Sequence, residues 1–136
     1  MPATVNITAS DMIEDGPMRA YWDDGDRGVA SSEAKEVSLA EARLIWSDDV
    51  HGVQGHFFGL IDDQDRTIQF YYDAGIPDHV EDARDLPIVW LDFPVPEKRG
   101  SYGRMVTVGE VDGLIQTAFA EGLDHRNFGE LSFEEW

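Results

Sequence analysis

The amino-acid sequence predicts an α+β fold, in which an antiparallel β-sheet of about four to six strands has two main helices packed on it. Aromatic and β-branched segments follow one another along the chain and are separated by short polar turns, which is typical of antiparallel strands. Two further segments carry apolar residues three and four positions apart, which is typical of amphipathic helices. The chain has 136 residues and shows no internal repeat, so we expect a single domain over residues 1–136.

Strands are predicted where β-branched, aromatic and other apolar residues are enriched. These segments are residues 5–7, 18–22, 56–61, 67–73, 86–93 and 104–108. Pro94 and Pro96 are expected to end the strand over 86–93, because proline lacks the N–H that a strand donates. The tail over 123–136 is expected to dock as an edge strand or to lie across the core. The connecting residues are interpreted as a turn at 23–28, a linker at 29–37 and a loop at 75–85.

Both helices are expected to begin with a capping box, in which two residues three positions apart bond each other's backbone N–H groups. Ser38 and Glu41 form the first box and predict a helix over about residues 39–48, and Thr107 and Glu110 form the second. The second helix carries a stripe of apolar residues and is expected to end at the glycine that follows them: Val111, Leu114, Ile115, Ala118, Phe119 and then Gly122. Strand and helix periodicity predicts a core that includes Phe70, Trp90, Leu114, Ile115 and Phe119.

The most unusual feature of the composition is its acidity. The chain has 28 Asp and Glu but only 10 Lys and Arg, which gives a formal net charge of −18. One interpretation is a surface selected for solubility, as in halophilic proteins; the other is a field that attracts a cationic partner. Direct binding to nucleic acid or to an anionic membrane is disfavoured, because each requires a basic patch.

The sequence contains no recognisable catalytic motif. It has no cysteine, which excludes disulfides and thiolate chemistry, and its four histidines form no pair with the spacing of a helical metal site. The serine-nucleophile, phosphate-loop and dinucleotide-binding patterns are also missing. No signal peptide or membrane-spanning run is visible. We therefore expect a cytoplasmic protein that is not an enzyme and that holds no cofactor or metal.

Acidic residues beside aromatic residues are the strongest remaining signal. Tyr and Trp are favoured anchors in protein interfaces, and neighbouring carboxylates suit Arg and Lys on a partner. Two clusters are predicted to bind a partner: Tyr21, Trp22, Asp23, Asp24 and Asp26, and a hairpin tip with Asp62, Asp63 and Asp65. Neither cluster has the ligand spacing of a calcium loop, so the alternative interpretation is a pair of solvated turns.

The order of elements resembles the immunity proteins of bacterial polymorphic-toxin and contact-dependent competition systems, in particular the α+β family often paired with deaminase and nuclease toxins. The segments that carry the resemblance span residues 38–136: SLAEARLIWSDD, HFFGLIDDQDRTIQFYYDAG, LPIVWLDF, VTVGEVDGLIQTAFAEG and ELSFEEW. The resemblance implies a protein that binds a toxin domain and blocks its active site. It carries over no individual contact residue.

The leading hypothesis is therefore an immunity protein whose cognate basic toxin acts on nucleic acid. The first alternative is a phage-type acidic mimic of nucleic acid, which would inhibit a nuclease or a CRISPR effector through rows of carboxylates spaced like phosphates. The second alternative belongs to another class, a small enzyme or metal-dependent hydrolase whose site residues are dispersed along the sequence.

Overall fold

The computed structural model describes residues 18–23, 28–50 and 52–136. Across these residues, eight strands form one antiparallel sheet and two α-helices pack on it, which confirms the predicted α+β class. The strands are β1 (Met18–Asp23), β2 (Gly28–Val29), β3 (Lys35–Val37), β4 (Phe57–Ile61), β5 (Thr67–Tyr72), β6 (Val89–Val95), β7 (Gly100–Val106) and β8 (Ser132–Glu135). The helices are α1 (Leu39–Leu44) and α2 (Glu110–Glu121). The strand predicted at residues 5–7 lies outside the described residues.

The sheet runs in the order β2–β1–β4–β5–β6–β7–β8, and β3 also pairs with β1. From β4 to β7 each strand pairs with the next one in the chain, as the short turns predicted. The predicted number of four to six strands is too low, chiefly because the residues interpreted as the end of a turn and a linker contribute β2 and β3. These two strands have only two and three residues, too few for a strand period to be recognised.

Proline does not end β6 where the sequence suggested. The strand continues through Pro94 to Val95, with Pro94 opposite Ser101 of β7. On its other side, pairing with β5 already ends at Asp92. Because none of the described strands pairs with Pro94 on that side, its missing N–H removes no ladder bond there.

The helices cover one face of the sheet, which we call the inner face. Its centre is Phe70 of β5, which is fully buried and directly opposite Phe58 on β4 and Leu91 on β6. Ile115 of α2 is also fully buried, and Leu114 and Phe119 pack half-buried against the same core. These four positions agree with the predicted core.

Trp90 does not belong to this core, contrary to the sequence prediction. It lies half-buried on the opposite face, which we call the outer face, because its neighbours Val89 and Leu91 point inwards. Its ring lies over Gly103 so closely that a Cβ added there would stand 2.5 Å from the Trp90 Cζ2 atom. The segment over 86–93 is apolar on both sides of the strand, so alternation alone could not assign the face.

Both predicted capping boxes are present. The Ser38 hydroxyl accepts from the Glu41 N–H at 3.1 Å, and the Glu41 carboxylate accepts from the Ser38 N–H at 2.8 Å. Thr107 and Glu110 make the same exchange at 3.2 and 2.7 Å. The second helix ends at Gly122, whose φ of 84° suits glycine. Within the described residues, no helix combines the length and the apolar composition that crossing a bilayer requires.

The two aromatic positions on opposite faces give a test of the assigned core. Phe70→Ala is expected to lower the free energy of unfolding by about 3–5 kcal/mol, because it leaves a cavity between strands and helices. Trp90→Ala should cost less than half as much, because its site already opens to solvent. Urea unfolding of both variants checks the difference, and equal losses would show that Trp90 is part of the core.

Candidate functional site

The two predicted acidic clusters lie near opposite ends of β4. Asp23, at the end of β1, is directly opposite Phe57, the first residue of β4. The turn that carries the second cluster follows Ile61, the last residue of that strand. At roughly 3.3 Å per residue, the two clusters are about 13 Å or more apart. Asp24 and Asp26 lie outside the described residues.

Asp62 organises the β4–β5 turn from a buried position. Only 3% of the residue is exposed, and its Oδ1 accepts from the backbone N–H groups of Gln64 at 2.9 Å and Arg66 at 2.8 Å. Its Oδ2 accepts from the Arg66 Nε at 2.7 Å. The carboxylates of this turn that face solvent are therefore those of Asp63 and Asp65, and the second of these accepts from Arg19 at 3.0 Å.

Tyr21 is buried against the sheet, although the sequence predicted it as a contact residue. Its ring lies over Gly59, and its hydroxyl donates to the Gln69 Oε1 at 2.8 Å. Burial, with a smaller contribution from the charge of Asp92, raises the pKa of Tyr21 to about 12. Tyr21 therefore presents little surface to a partner.

Trp22 is half-buried and lies between two acidic depressions in the surface. The first has a volume of about 330 Å³, and we call it the acidic depression. It is lined by Trp22, Lys35, Glu36, Val37, Glu41, Leu44, Ile45, Asp48 and Asp49. The second lies on the other side of Trp22, has a volume of about 440 Å³, and includes Asp23, Glu33 and Phe57 in its lining.

The acidic depression combines an apolar floor with a charged rim. Val37 and Ile45 pack against the core from below, while Leu44 is 58% exposed beside them. The rim carries the carboxylates of Glu41, Asp48 and Asp49 and the ammonium of Lys35, while Glu36 lines the depression from β3, where it is opposite Arg19. Within the described part of the chain, none of these three rim carboxylates forms a salt bridge. The depression can therefore accept a cationic side chain with an aliphatic stem.

A π-helical turn places two of the rim carboxylates. The turn Ile45–Asp49 continues α1, so that together they match the helix predicted over 39–48. It is closed by a bond from the Val50 N–H to the Ile45 carbonyl at 3.0 Å. Trp46 stacks on Tyr72, with ring centroids 5.2 Å apart and planes 4° apart. Because Trp46 and Val50 are both buried, the intervening Asp48 and Asp49 are turned to the surface.

The sequence predicted Trp22 as a contact residue but not the residues that surround it. Glu36 lies in the segment interpreted as a linker, and Asp48 and Asp49 looked like a polar helix end. An exposed Leu44 beside the Ser47-Asp48-Asp49 end of the helix was the available signal, because a large apolar residue outside the core stripe marks a candidate contact.

The described residues show no convergence of histidines. His125 stacks on Tyr102 with ring centroids 4.0 Å apart, His79 is exposed, and His56 lies at the start of β4. The fourth histidine, His51, is outside the described residues. Within the described ranges, no three His, Asp or Glu side chains are grouped so that they could hold a metal ion.

The structural role of Asp62 can be separated from a contact role. Asp62→Ala is expected to lower the free energy of unfolding by about 2–4 kcal/mol, because it leaves two backbone N–H groups and Arg66 without their acceptor. Asp63→Ala, one residue further along the same turn, should change it by less than about 0.5 kcal/mol. Thermal unfolding compares the two variants, and similar small losses would contradict the assignment.

Tyr72, which is buried and stacks on Trp46, predicts a loss of stability at alkaline pH. Burial raises the pKa of Tyr72 to about 12. Since an unfolded tyrosine ionises near 10, stability should be constant below about pH 10 and fall as the pH rises from 10 to 12. For Tyr72 alone the loss at pH 11 is about 1 kcal/mol. Between pH 7 and pH 11, the urea midpoint of the Tyr72→Phe variant should therefore fall by less than that of the parent protein. An identical pH dependence would contradict it.

Comparison with known proteins finds no match for the chain. The chain matches no protein-family model, no curated protein and no solved structure.

Proposed function

We propose that this chain is an immunity protein that binds a cognate basic toxin domain and blocks its active site. The observation that carries the proposal is the acidic depression, where carboxylates surround an apolar floor beside Trp22. Arg and Lys side chains have both a charged end and an apolar stem, and this combination suits such a floor and rim. We further propose that the complex forms in the cytoplasm.

The overall charge supports fast association with a basic partner. A net charge of −18 creates a field that draws a cationic surface towards the protein before contact. The field by itself does not orient the partner on the surface, so local contacts must orient it. The rim around Trp22 can provide this orientation because Glu41, Asp48 and Asp49 line one depression.

A toxin that acts on nucleic acid is the partner that best fits this surface. Such an enzyme needs a basic cleft to bind phosphates, and an acidic surface competes for the same cleft. The resemblance in the order of elements points to the same class of partner. Asp23, with Asp24 and Asp26 of the following segment, stays in the proposal as an extension of the contact beyond Trp22.

The apolar floor distinguishes this proposal from a nucleic-acid mimic. A mimic relies on rows of carboxylates, whereas the acidic depression places Leu44 and Ile45 between its carboxylates. Buried apolar contacts at the centre and charges at the rim are typical of protein interfaces. The mimic is therefore the second candidate, and a partner that binds nucleic acid without being a co-encoded toxin would favour it.

The direct test is co-expression with the product of the neighbouring gene. The proposal expects the two proteins to purify as a complex and expects added immunity protein to abolish the toxin's activity at an equimolar ratio. A neighbouring product that neither binds the chain nor is toxic to cells lacking it would refute the proposal.

Removing rim charges should weaken the complex more than removing the same charge elsewhere. The triple variant Glu41→Gln, Asp48→Asn, Asp49→Asn, in which Gln can still complete the capping box, is expected to bind the partner at least about tenfold more weakly, because each substitution removes a contact with a cation. The matched control carries Glu97→Gln, Glu121→Gln and Glu130→Gln, which are exposed acids outside the depression. Surface-plasmon kinetics measures both variants.

The kinetics should also separate steering from contact. Both triple variants should lose association rate, and that loss should vanish at 1 M salt, where screening acts over about 3 Å. The rim variant should in addition dissociate faster at every salt concentration. Equal dissociation rates for the two variants would show that bulk charge, and not this depression, governs binding.

A further inference from the structure

The outer face of the sheet carries a continuous row of large side chains. Phe57, Tyr71, Trp90 and Met105 lie directly opposite one another on β4, β5, β6 and β7. Neighbouring strands are about 4.8 Å apart, so the row is about 14 Å long. Both α-helices pack on the other face, where the core cluster lies. The two helices therefore do not cover this row.

The rings of Tyr71 and Trp90 are available for stacking. Both residues are half-buried, and Met105 at the end of the row is 39% exposed. Among the described residues, neither ring stacks on another aromatic ring, and no ammonium or guanidinium lies over either of them. The face of each ring can therefore receive a planar cation.

A half-buried carboxylate lies in the next row of the same face. Asp92 is opposite Gly103 and accepts hydrogen bonds from the Trp90 Nε1 at 3.4 Å and from Ser101. Desolvation raises the pKa of Asp92, despite these hydrogen bonds, and the nearby charge of Glu134 raises it further. Within the described residues, neither Asp92 nor Glu134 forms a salt bridge. A cation placed between Asp92 and Glu134 would offset the repulsion between the two carboxylates.

Arg19 is a cation on the outer face, and its guanidinium is already engaged in hydrogen bonds. Arg19 is opposite Ile61 at the far end of β1, and it donates to Asp65 at 3.0 Å and to the Asp62 carbonyl at 3.2 Å. Its charge is therefore directed towards the β4–β5 turn. The Trp90 side of the face keeps its negative charge.

We propose that the outer face, centred on Trp90 and Asp92, binds an arginine-bearing segment of a protein partner. A guanidinium is planar, stacks on aromatic rings and donates in a fork to carboxylates, whereas a lysine ammonium offers only a point charge. The aromatic row can stack with a guanidinium, and the carboxylates of Asp92 and Glu134 can accept its hydrogen bonds. This inference rests on the proposed function in taking the partner to be basic, and it assigns a second contact surface on the opposite side of the sheet from α1.

A sheet with exposed aromatic residues is also a form that binds single-stranded nucleic acid by base stacking. Such proteins add a positively charged groove for the backbone. Here the acids Asp92 and Glu134 flank the row instead, so phosphates would be repelled. Arginine-bearing protein is therefore the occupant that the charge favours.

The test uses peptides in place of the unidentified partner. The isotope-labelled chain is titrated with a peptide of four Arg-Gly repeats, with the matching Lys-Gly peptide, and with a single-stranded oligonucleotide, and amide and indole NMR signals are followed. The arginine peptide is expected to shift signals of β5, β6 and β7 around Trp90 and to bind about fivefold or more tightly than the lysine peptide.

Variants of equal charge separate this face from the general field. Asp92→Asn with Glu134→Gln should weaken binding of the arginine peptide about fivefold. Glu97→Gln with Glu121→Gln, the matched control, should weaken it by less than about twofold. Trp90→Leu, after its folding is verified by NMR, should remove the preference for arginine over lysine.

The inference would be overturned by equal effects of the two double variants, by equal affinity for the two peptides, or by binding of the oligonucleotide at this face. Shifts confined to the acidic depression would also overturn it, and would leave the proposed function standing. Failure to find a basic protein partner, with the arginine peptide still bound at Trp90, would count against the proposed function and not against this surface.

Discussion

The contact of Trp46 with the sheet is the interaction on which the remainder of the structure depends. Trp46 stacks on Tyr72 and also lies 6.2 Å from Phe70 between ring centroids, so one side chain of the first helix reaches the two buried aromatic residues of the central strand. This contact fixes the rotation of α1 about its axis. The rotation in turn determines that Leu44, Asp48 and the neighbouring acids face outwards, so the position of the candidate site is a consequence of core packing.

The distribution of charge pairs among the described residues explains how so acidic a chain leaves parts of its surface negative. Among the described residues, several arginines are held by an aspartate close in sequence, as Arg84 is by Asp82 and Arg126 by Asp124. The paired guanidinium lowers the pKa of Asp82 to about 2 and lowers that of Asp124 as well. These pairs are exposed and contribute little stability. Their effect is to neutralise these arginines locally, so that among the described residues no salt bridge reaches Asp48, Asp49, Asp92 or Glu134.

The sequence predicted well what depends on residues that are neighbours in the chain. The capping boxes at Ser38 and Thr107, the hairpin and the α+β class follow from local hydrogen bonding and periodicity. Three features depend on partners that are distant in sequence, and these were missed: the short strands β2 and β3, the outward direction of Trp90, and the continuation of β6 through Pro94. Each is decided by what lies on the neighbouring strand, which one sequence without its fold does not reveal.

The edge strand β8 has a consequence for the behaviour of the protein in concentrated solution. All four of its residues are exposed, and it pairs with the sheet through β7 alone among the described strands. An open strand edge is a template for adding another chain, and charged side chains on it oppose that addition. Glu134 and Glu135 supply such charges, so two copies meeting edge to edge would repel each other. The acidity that we propose for binding a basic partner thereby also keeps the chain from polymerising with itself.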